Sequence, residues 1–127
     1  SHLAGAPVKL TFVPHLLPIN RGILATCYAR IRPGVTKEQI LSAYQSMYEN
    51  EYFIRLLPAG RVADVKNVRC SNFCDISLHF DDRTGTLIAI SAIDNMVKGA
   101  AGQAIQNMNL MFGAEEQAGL KLVPPAF

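Results

Sequence analysis

Between positions 94 and 107 the chain reads Asp94-Asn95-Met96-Val97-Lys98-Gly99-Ala100-Ala101-Gly102-Gln103-Ala104-Ile105-Gln106-Asn107, and this stretch decides how the fold is interpreted. Asp94 is a suitable N-cap. The apolar stripe that follows has helical spacing and consists of Val97, Ala101, Ala104, Ile105, Met108 and Phe112. Gly113 fits the position just beyond the helix. An interior glycine costs a helix about 1 kcal/mol relative to alanine, so Gly99 and Gly102 predict close backbone approach to a chain segment or a ligand.

The segments just before this helix predict a β-hairpin. Residues 86–93 are apolar on both faces, which predicts a central strand. Residues 73–80 alternate, with Asp75, Ser77 and His79 on the polar face. The loop 81–85 connects the two strands, and Gly85 can take the positive φ that such a loop needs.

Weaker patterns predict the remaining elements. Apolar alternation predicts strands at 8–12, 21–31 and 53–57, whereas 62–69 is interpreted as a loop. Thr36 and Gln39 form a capping box for a helix that ends near Asn50, with a stripe of Ile40, Leu41, Tyr44, Met47 and Tyr48. The order β-β-α-β-β-β-α predicts one α+β domain over residues 1–127, with a mixed, mostly antiparallel sheet and its helices on one face.

Composition excludes several classes of protein. Half of the 127 residues are hydrophobic, which is typical of a globular chain. The net charge is only +2 and no Lys/Arg run occurs, so a basic nucleic-acid surface is not expected. No apolar run approaches the ~20 residues that span a bilayer, and no signal peptide is recognisable. Three cysteines, an odd number, favour free thiols in a reducing cytoplasm.

The cysteines are interpreted as structural. Cys70 and Cys74 have Cys-x3-Cys spacing without a second ligand pair, so we expect buried thiols and no metal site. Cys27 lies in the middle of a strand, and a core position is favoured over a nucleophile, which needs an electropositive, partly exposed setting. His79 is expected at the surface or at an interface. No nucleotide-binding fingerprint, phosphate-binding loop, serine elbow or zinc-protease motif occurs.

Candidate binding residues lie in two parts of the chain, one at residues 15–22 and one at residues 95–98. His15 lies between two prolines, which suits either a site residue or a simple turn. In Asn20-Arg21-Gly22 the guanidinium suits a carboxylate or phosphate, and the glycine would let a ligand approach the backbone. Asn95 could pair with a ligand amide. Lys98 is disfavoured near a helix N-terminus, which hints at an anionic partner, although a surface lysine is the simpler interpretation.

Three blocks of sequence resemble one enzyme family. They are residues 14–24 (PHLLPINRGIL), 69–72 (RCSN) and 92–104 (AIDNMVKGAAGQA). In this order they are similar to N-acetyl-γ-glutamyl-phosphate reductase, and the resemblance covers essentially all 127 residues. The third block alone also resembles aspartate-semialdehyde dehydrogenase, whereas the first block favours the reductase. Cys70 stands where the family commonly has glycine.

The resemblance implies an NADPH-dependent reduction of N-acetyl-γ-glutamyl phosphate to its semialdehyde in arginine biosynthesis. It implies a cysteine that forms a thioacyl intermediate, an acid/base histidine, a Rossmann-type NADP domain and a second domain that shapes the substrate site and the oligomer contact. The chain corresponds to the later part of that second domain, like the C-terminal domain of glyceraldehyde-3-phosphate dehydrogenase-type enzymes. The NADP domain and the catalytic residues are then expected upstream of Ser1.

At matching positions the resemblance implies specific roles. Asn95 would lie near the nicotinamide amide, and Gly99 and Gly102 would let the helix pack on the cofactor domain. The residues bordering the pocket for a small acyl phosphate would be His15, Asn20 and Arg21. A homo-oligomer, dimer or tetramer, is expected. Two alternatives stay open: a free-standing, non-catalytic oligomerisation domain, and the equivalent domain of an aspartate-semialdehyde or aminoadipyl-phosphate reductase.

Overall fold

A four-stranded sheet carries the chain's helices. The computed structural model describes residues 5–124. Its elements in chain order are β1 (Ile23–Arg30), α1 (Lys37–Tyr48), β2 (Ile54–Leu56), β3 (Cys74–Asp81), β4 (Thr86–Ile93), a π-helical turn (Val97–Ala101) and α2 (Gly102–Met111). A short 3-10 turn, Val65–Asn67, lies in the predicted loop. Within the described residues, no helix is long and apolar enough to cross a membrane.

The strand order is β1-β4-β3-β2. The apolar strand β4 is therefore internal, as predicted, and pairs antiparallel with β1 and β3. β2 pairs parallel to β3, with Ile54 opposite Cys74. The sheet is mixed and mostly antiparallel, which confirms the predicted fold class.

Both helical segments lie on one face of the sheet. The register places Phe80 and Ile93 on the same face, because their positions on β3 and β4 share the two-residue alternation. The Lys37 ammonium at the start of α1 lies 5.7 Å from the Phe80 ring centroid. At the other helix, a methyl group added to Gly99 would lie 3.6 Å from Ile93 Cδ1.

The opposite face holds a small core and two buried polar residues. The loop after β2 packs on this face and forms a cluster of Ala63, Val68 and Ala92 with Leu57, Val65, Phe73 and Ile90. Asp75 and Ser77, expected on an exposed polar face, are buried. They are tolerated because Arg55 Nε donates to Asp75 Oδ1 at 2.6 Å and the Ala63 N–H donates to Ser77 Oγ at 3.1 Å.

Local signals identified the turns well. Thr36 Oγ1 accepts from the Gln39 N–H, and Gln39 Oε1 accepts from the Thr36 N–H, so the capping box is present. Gly85 closes the β3–β4 hairpin with φ +64°, and Gly113 follows α2 with φ +67°. All three predictions are confirmed.

The strand predicted at 8–12 is wrong. These residues are exposed and have no regular secondary structure, so the element order is β-α-β-β-β-α. Alternation alone does not make a strand, because the backbone groups also need a neighbouring strand as partner. β1 forms as predicted but is exposed along its whole length, so the expectation that Cys27 is a core residue is also wrong.

The buried side of α2 is the reverse of the predicted one. Its buried residues are Gly102, Gln106 and Asn109, whereas Ala101, Ala104, Ile105, Met108 and Phe112 of the apolar stripe are exposed. Polar anchors explain this orientation. Asn72 Nδ2 donates to Gln106 Oε1 at 2.9 Å, and Asn109 Nδ2 donates to the Glu116 and Ala118 carbonyls at 3.0 Å. The chain therefore presents the apolar face of α2 outward.

Gly102 and Gly99 differ in the space around them. A Cβ at Gly102 would overlap Asn72 Oδ1 and lie 2.8 Å from Val97 Cγ1, whereas a Cβ at Gly99 would make ordinary contacts of 3.4 Å or more. We therefore predict that Gly102→Ala lowers the free energy of unfolding by about 1–3 kcal/mol through overpacking. Gly99→Ala is the matched control and should cause no such loss. Equal effects of the two substitutions in denaturant titrations would contradict this assignment.

Candidate functional site

The carboxylate of Asp94 is a fully buried junction between three chain segments. Its Oδ1 accepts from the backbone N–H groups of Met96 and Val97 at 2.8 and 2.9 Å. Its Oδ2 accepts from the Cys70 N–H at 2.7 Å and from Arg21 Nε at 3.1 Å. These donors come from the three sequence blocks of the family resemblance, so one side chain brings the blocks together.

These contacts keep Asp94 ionised. Burial alone would raise the pKa of its carboxyl group. The N–H groups of Cys70, Val97 and Met96 and the Arg21 guanidinium outweigh burial, and the pKa lies below its ordinary value of 3.8. The sequence prediction of an N-terminal cap is confirmed, but capping accounts for only one of the two oxygens.

Cys70 adopts a backbone conformation that favours glycine. Its φ is +59°, and it is the only non-glycine residue with positive φ in the described part of the chain. The left-handed region costs a non-glycine residue about 1–2 kcal/mol, and the N–H that this conformation presents reaches Asp94 Oδ2. The tight backbone typical of glycine is therefore retained here, although the residue is cysteine.

Asn95 is oriented by the turn that contains Arg21. The Gly22 N–H donates to Asn95 Oδ1 at 2.8 Å. Because the amide oxygen is engaged, the amide nitrogen is the group that remains for another partner. Asn95 is thus arranged as a hydrogen-bond donor, which suits a carbonyl oxygen.

The π-helical turn, Val97–Ala101, begins two residues after Asn95. The Gly99 N–H donates to the Asp94 carbonyl and the Ala101 N–H to the Met96 carbonyl, both over five residues. π turns within helices frequently occur at functional sites. Here the first of these wide bonds is accepted by the Asp94 carbonyl, so the π turn is joined directly to the residue that connects the three segments.

The backbone at Gly22 lies close to Val65 of the same chain rather than to space for a ligand. Its φ is +107°, and a Cβ at this position would lie 2.7 Å from Val65 Cβ. The expectation that this glycine leaves room for a ligand is therefore wrong, because Val65 already fills that space. The glycine instead lets the turn fit closely enough for its N–H to reach Asn95.

Lys98 is half-buried and has a partner within the chain. Its ammonium donates to Gln106 Oε1 at 2.7 Å and lies 5.4 Å from the Phe53 ring centroid. Burial lowers the pKa of this ammonium group, opposed by the nearby Cys74 and Glu116. The simpler interpretation of an exposed lysine is wrong.

His15 and Asn20 lie outside this hydrogen-bonded junction. Both are exposed, and His15 Nδ1 lies 3.1 Å from the Val13 carbonyl. Among residues 5–124, no hydrogen bond joins either side chain to Asp94 or Asn95. The structure thus places Arg21 close to Asn95, through the bonds of Asp94 and Gly22, and leaves His15 and Asn20 on an exposed segment.

The three thiols differ in their exposure to solvent. Cys70 is exposed, contrary to the expected buried thiol, because its turn presents the N–H rather than the side chain to Asp94. Cys74 is partly buried, and burial raises the pKa of its thiol. The part of the chain that the structure describes contains no group of three or more His, Cys, Asp or Glu side chains arranged to hold a metal ion.

The model of one protein family, described as the dimerisation domain of semialdehyde dehydrogenases, matches residues 1–95. The chain belongs to this semialdehyde dehydrogenase family. The match ends at Asn95, so α2 lies beyond the part of the chain that the dimerisation-domain model covers.

Two similar proteins are N-acetyl-γ-glutamyl-phosphate reductases. N-acetyl-γ-glutamyl-phosphate reductase of Desulforapulum autotrophicum is 54% identical over 97% of this chain, and that of Brachyspira hyodysenteriae is 53% identical over 100% of it. The chain spans 36% of the length of each relative. Among solved structures, aspartate semialdehyde dehydrogenase II of Vibrio cholerae aligns with a TM-score of 0.58 over 76% of this chain and 29% of its own, at 21% identity. That likeness supports the fold.

The buried Asp94 predicts a pH dependence of stability. Because its pKa is lower in the folded than in the unfolded state, its contribution is present above pH ~4 and should be lost as the pH falls through the folded-state pKa. We predict that Asp94→Asn lowers the free energy of unfolding by about 3 kcal/mol or more at pH 7. The difference from wild type should narrow on acidification. Unfolding curves that stay equally far apart from pH 7 to about 2 would contradict this.

Proposed function

We propose that this chain forms the substrate-binding and dimerisation part of an N-acetyl-γ-glutamyl-phosphate reductase. The reaction is the NADPH-dependent reduction of N-acetyl-γ-glutamyl phosphate to the semialdehyde in arginine biosynthesis, in the cytoplasm. The observation that carries the proposal is the junction at Asp94, which brings the three family blocks into contact. Identity above 50% to reductases of that name supports it, whereas the 21% likeness gives no comparable support to an aspartate-semialdehyde substrate.

The residues at the start of the π turn fit a nicotinamide cofactor. Asn95 offers an amide N–H2 group, the donor that a carboxamide oxygen requires, and its orientation is held by Gly22. Gly99 is exposed and carries no side chain that would keep a flat ring away from the backbone. NADPH, when bound, would supply the hydride. The nucleophilic cysteine and the nucleotide-binding fingerprint lie, in this proposal, in the part of the reductase that these 127 residues do not contain.

The segment before β1 borders the acyl phosphate in this proposal. His15 and Asn20 are exposed and have polar side chains available for a ligand. Arg21 follows them and brings the segment next to Asn95, because its neighbour Gly22 is bonded to Asn95. The substrate would then lie on one side of this turn and the cofactor on the other.

Two exposed apolar surfaces fit the missing contacts of such an enzyme. The outward face of α2 carries Met108, Met111 and Phe112, the last two 81% exposed, and we assign it to the nucleotide-binding part of the reductase. Leu24 and Tyr28 on β1 are also exposed, and we assign them to a second copy of the chain in a homo-oligomer. The 127 residues would then act as one domain with two apolar interfaces.

The proposal predicts where activity resides. A full-length protein containing this chain should oxidise NADPH in the presence of N-acetyl-γ-glutamyl phosphate, whereas residues 1–127 alone should not. Absorbance at the NADPH band measures both. Turnover by the 127 residues alone would contradict the assignment of the nucleophile. An inactive full-length protein that still self-associates would instead favour a non-catalytic oligomerisation domain.

Substitution of Asn95 tests whether its side chain donates a hydrogen bond to the cofactor. Asn95→Asp keeps the oxygen that accepts from Gly22 but replaces the free amide by a second acceptor. We predict that the Kd for NADPH rises about 10-fold or more, because a donor to a carbonyl becomes a repulsive acceptor. Asn50→Asp makes the same change at an exposed position after α1, away from the face of α2 that is assigned to the nucleotide-binding part, and should leave this Kd within about twofold. An unchanged Kd in Asn95→Asp would remove Asn95 from the cofactor site.

A further inference from the structure

Arg21 directs part of its guanidinium inward. Nε donates to Asp94 Oδ2 at 3.1 Å, and Nη2 lies 3.9 Å from Cys70 Sγ. The side chain of Arg21 is 31% exposed, whereas that of Asp94 is 0% exposed. The side-on edge that a guanidinium usually offers to a carboxylate or phosphate therefore faces the protein.

Charge balance weakens the case for Arg21 as an anion site. Its positive charge lies directly beside the buried negative charge of Asp94. An anionic substrate approaching this guanidinium would experience the sum of the two charges rather than a free cation. Direct binding of the substrate phosphate by the Arg21 guanidinium is disfavoured for this reason.

The contacts of Arg21 lead to Asn95 by two short routes. Asp94, which Arg21 holds, also fixes the N–H groups of Met96 and Val97 on the far side of Asn95. Gly22, the neighbour of Arg21 in the chain, donates to Asn95 Oδ1. Two adjacent residues of one segment thus bond to two adjacent residues of the other, Arg21 with Asp94 and Gly22 with Asn95.

We propose that Arg21 is a positioning residue that acts through Asp94 to hold the Asn95 amide in its binding orientation, and that it does not bind the acyl phosphate itself. This inference rests on the proposed function, because it assigns Arg21 to the cofactor side of the site. Loss of the Arg21 contact releases the turn at 20–22 and with it the Gly22 N–H. The Asn95 amide then loses the bond that fixes its donor outward.

Two substitutions separate positioning from substrate binding. In glutamine, Nε2 lies the same number of bonds from the backbone as Nε of arginine, so Arg21→Gln removes the charge but keeps a donor for Asp94. In methionine, a methyl group occupies that position, so Arg21→Met removes both. The measurements in the full-length enzyme are the Kd for NADPH and the KM for N-acetyl-γ-glutamyl phosphate.

We expect Arg21→Met to raise the Kd for NADPH about 10-fold or more, since small displacements of positioned groups have effects of this order. Arg21→Gln should keep the Kd within about threefold and leave the KM for the acyl phosphate within about twofold. In an Asn95→Ala background, Arg21→Met should add no further loss, because coupled residues are not additive. A KM for the acyl phosphate that rises 10-fold in Arg21→Gln would overturn the inference.

A second arginine–aspartate pair supplies the control. Arg55 bonds to the buried Asp75 at 2.6 Å, and among residues 5–124 no hydrogen bond joins either side chain to Asn95, so Arg55→Met tests the effect of losing such a pair without breaking a bond to Asn95 or Asp94. Its Kd for NADPH should stay that of wild type, and an equal rise in both methionine variants would overturn the positioning role.

If Arg21→Met does not fold, the KM of Arg21→Gln for the acyl phosphate still decides whether Arg21 binds the substrate. A wild-type full-length protein that does not turn over would refute the proposed function itself, whereas an active wild type with a 10-fold KM effect in Arg21→Gln refutes only this inference.

Discussion

The buried carboxylate of Asp94 is the interaction on which the rest of the candidate site depends. A carboxylate without solvent must have its charge and lone pairs satisfied by the protein. Three backbone N–H groups and one guanidinium meet that requirement, and they come from segments at residues 21, 70 and 96–97. This requirement fixes the turn before β1, the left-handed Cys70 and the start of the π turn relative to one another. The position of Asn95 follows from all three.

Many apolar side chains are left exposed on two elements of the fold. Half of the residues are hydrophobic, yet the cluster under the sheet is small and large apolar side chains remain on β1 and α2. Polar anchors through Gln106 and Asn109 hold α2 with its apolar face outward. A helix arranged in this way directs its hydrophobic surface toward another body. The proposed reductase supplies such bodies, namely its nucleotide-binding part and a second copy.

Local chemistry made part of this structure predictable. The capping box at Thr36, the hairpin at Gly85 and the apolar strand β4 depend on neighbours in sequence, and all were predicted. The strand at 8–12 failed because pairing depends on a partner that alternation does not reveal. The buried side of α2 failed because Asn72, some thirty residues away, selects it. For the site, the family blocks indicate Arg21 and Asn95, whereas the sequence predicts Asp94 only as a cap. The signal for its larger role was an arginine and an acid in separate blocks of the same resemblance.

A crystal structure of the full-length protein with NADP⁺ bound tests directly whether Asp94 and Arg21 position Asn95 for the cofactor. We predict that Arg21 Nε donates to Asp94 Oδ2, that the Gly22 N–H donates to Asn95 Oδ1, and that Asn95 Nδ2 lies within hydrogen-bonding distance, about 3 Å, of the nicotinamide carboxamide oxygen. The apolar face of α2 should be covered by the nucleotide-binding part of the same chain. A nicotinamide ring bound away from Asn95, with Arg21 turned from Asp94 toward solvent or an anion, would contradict it.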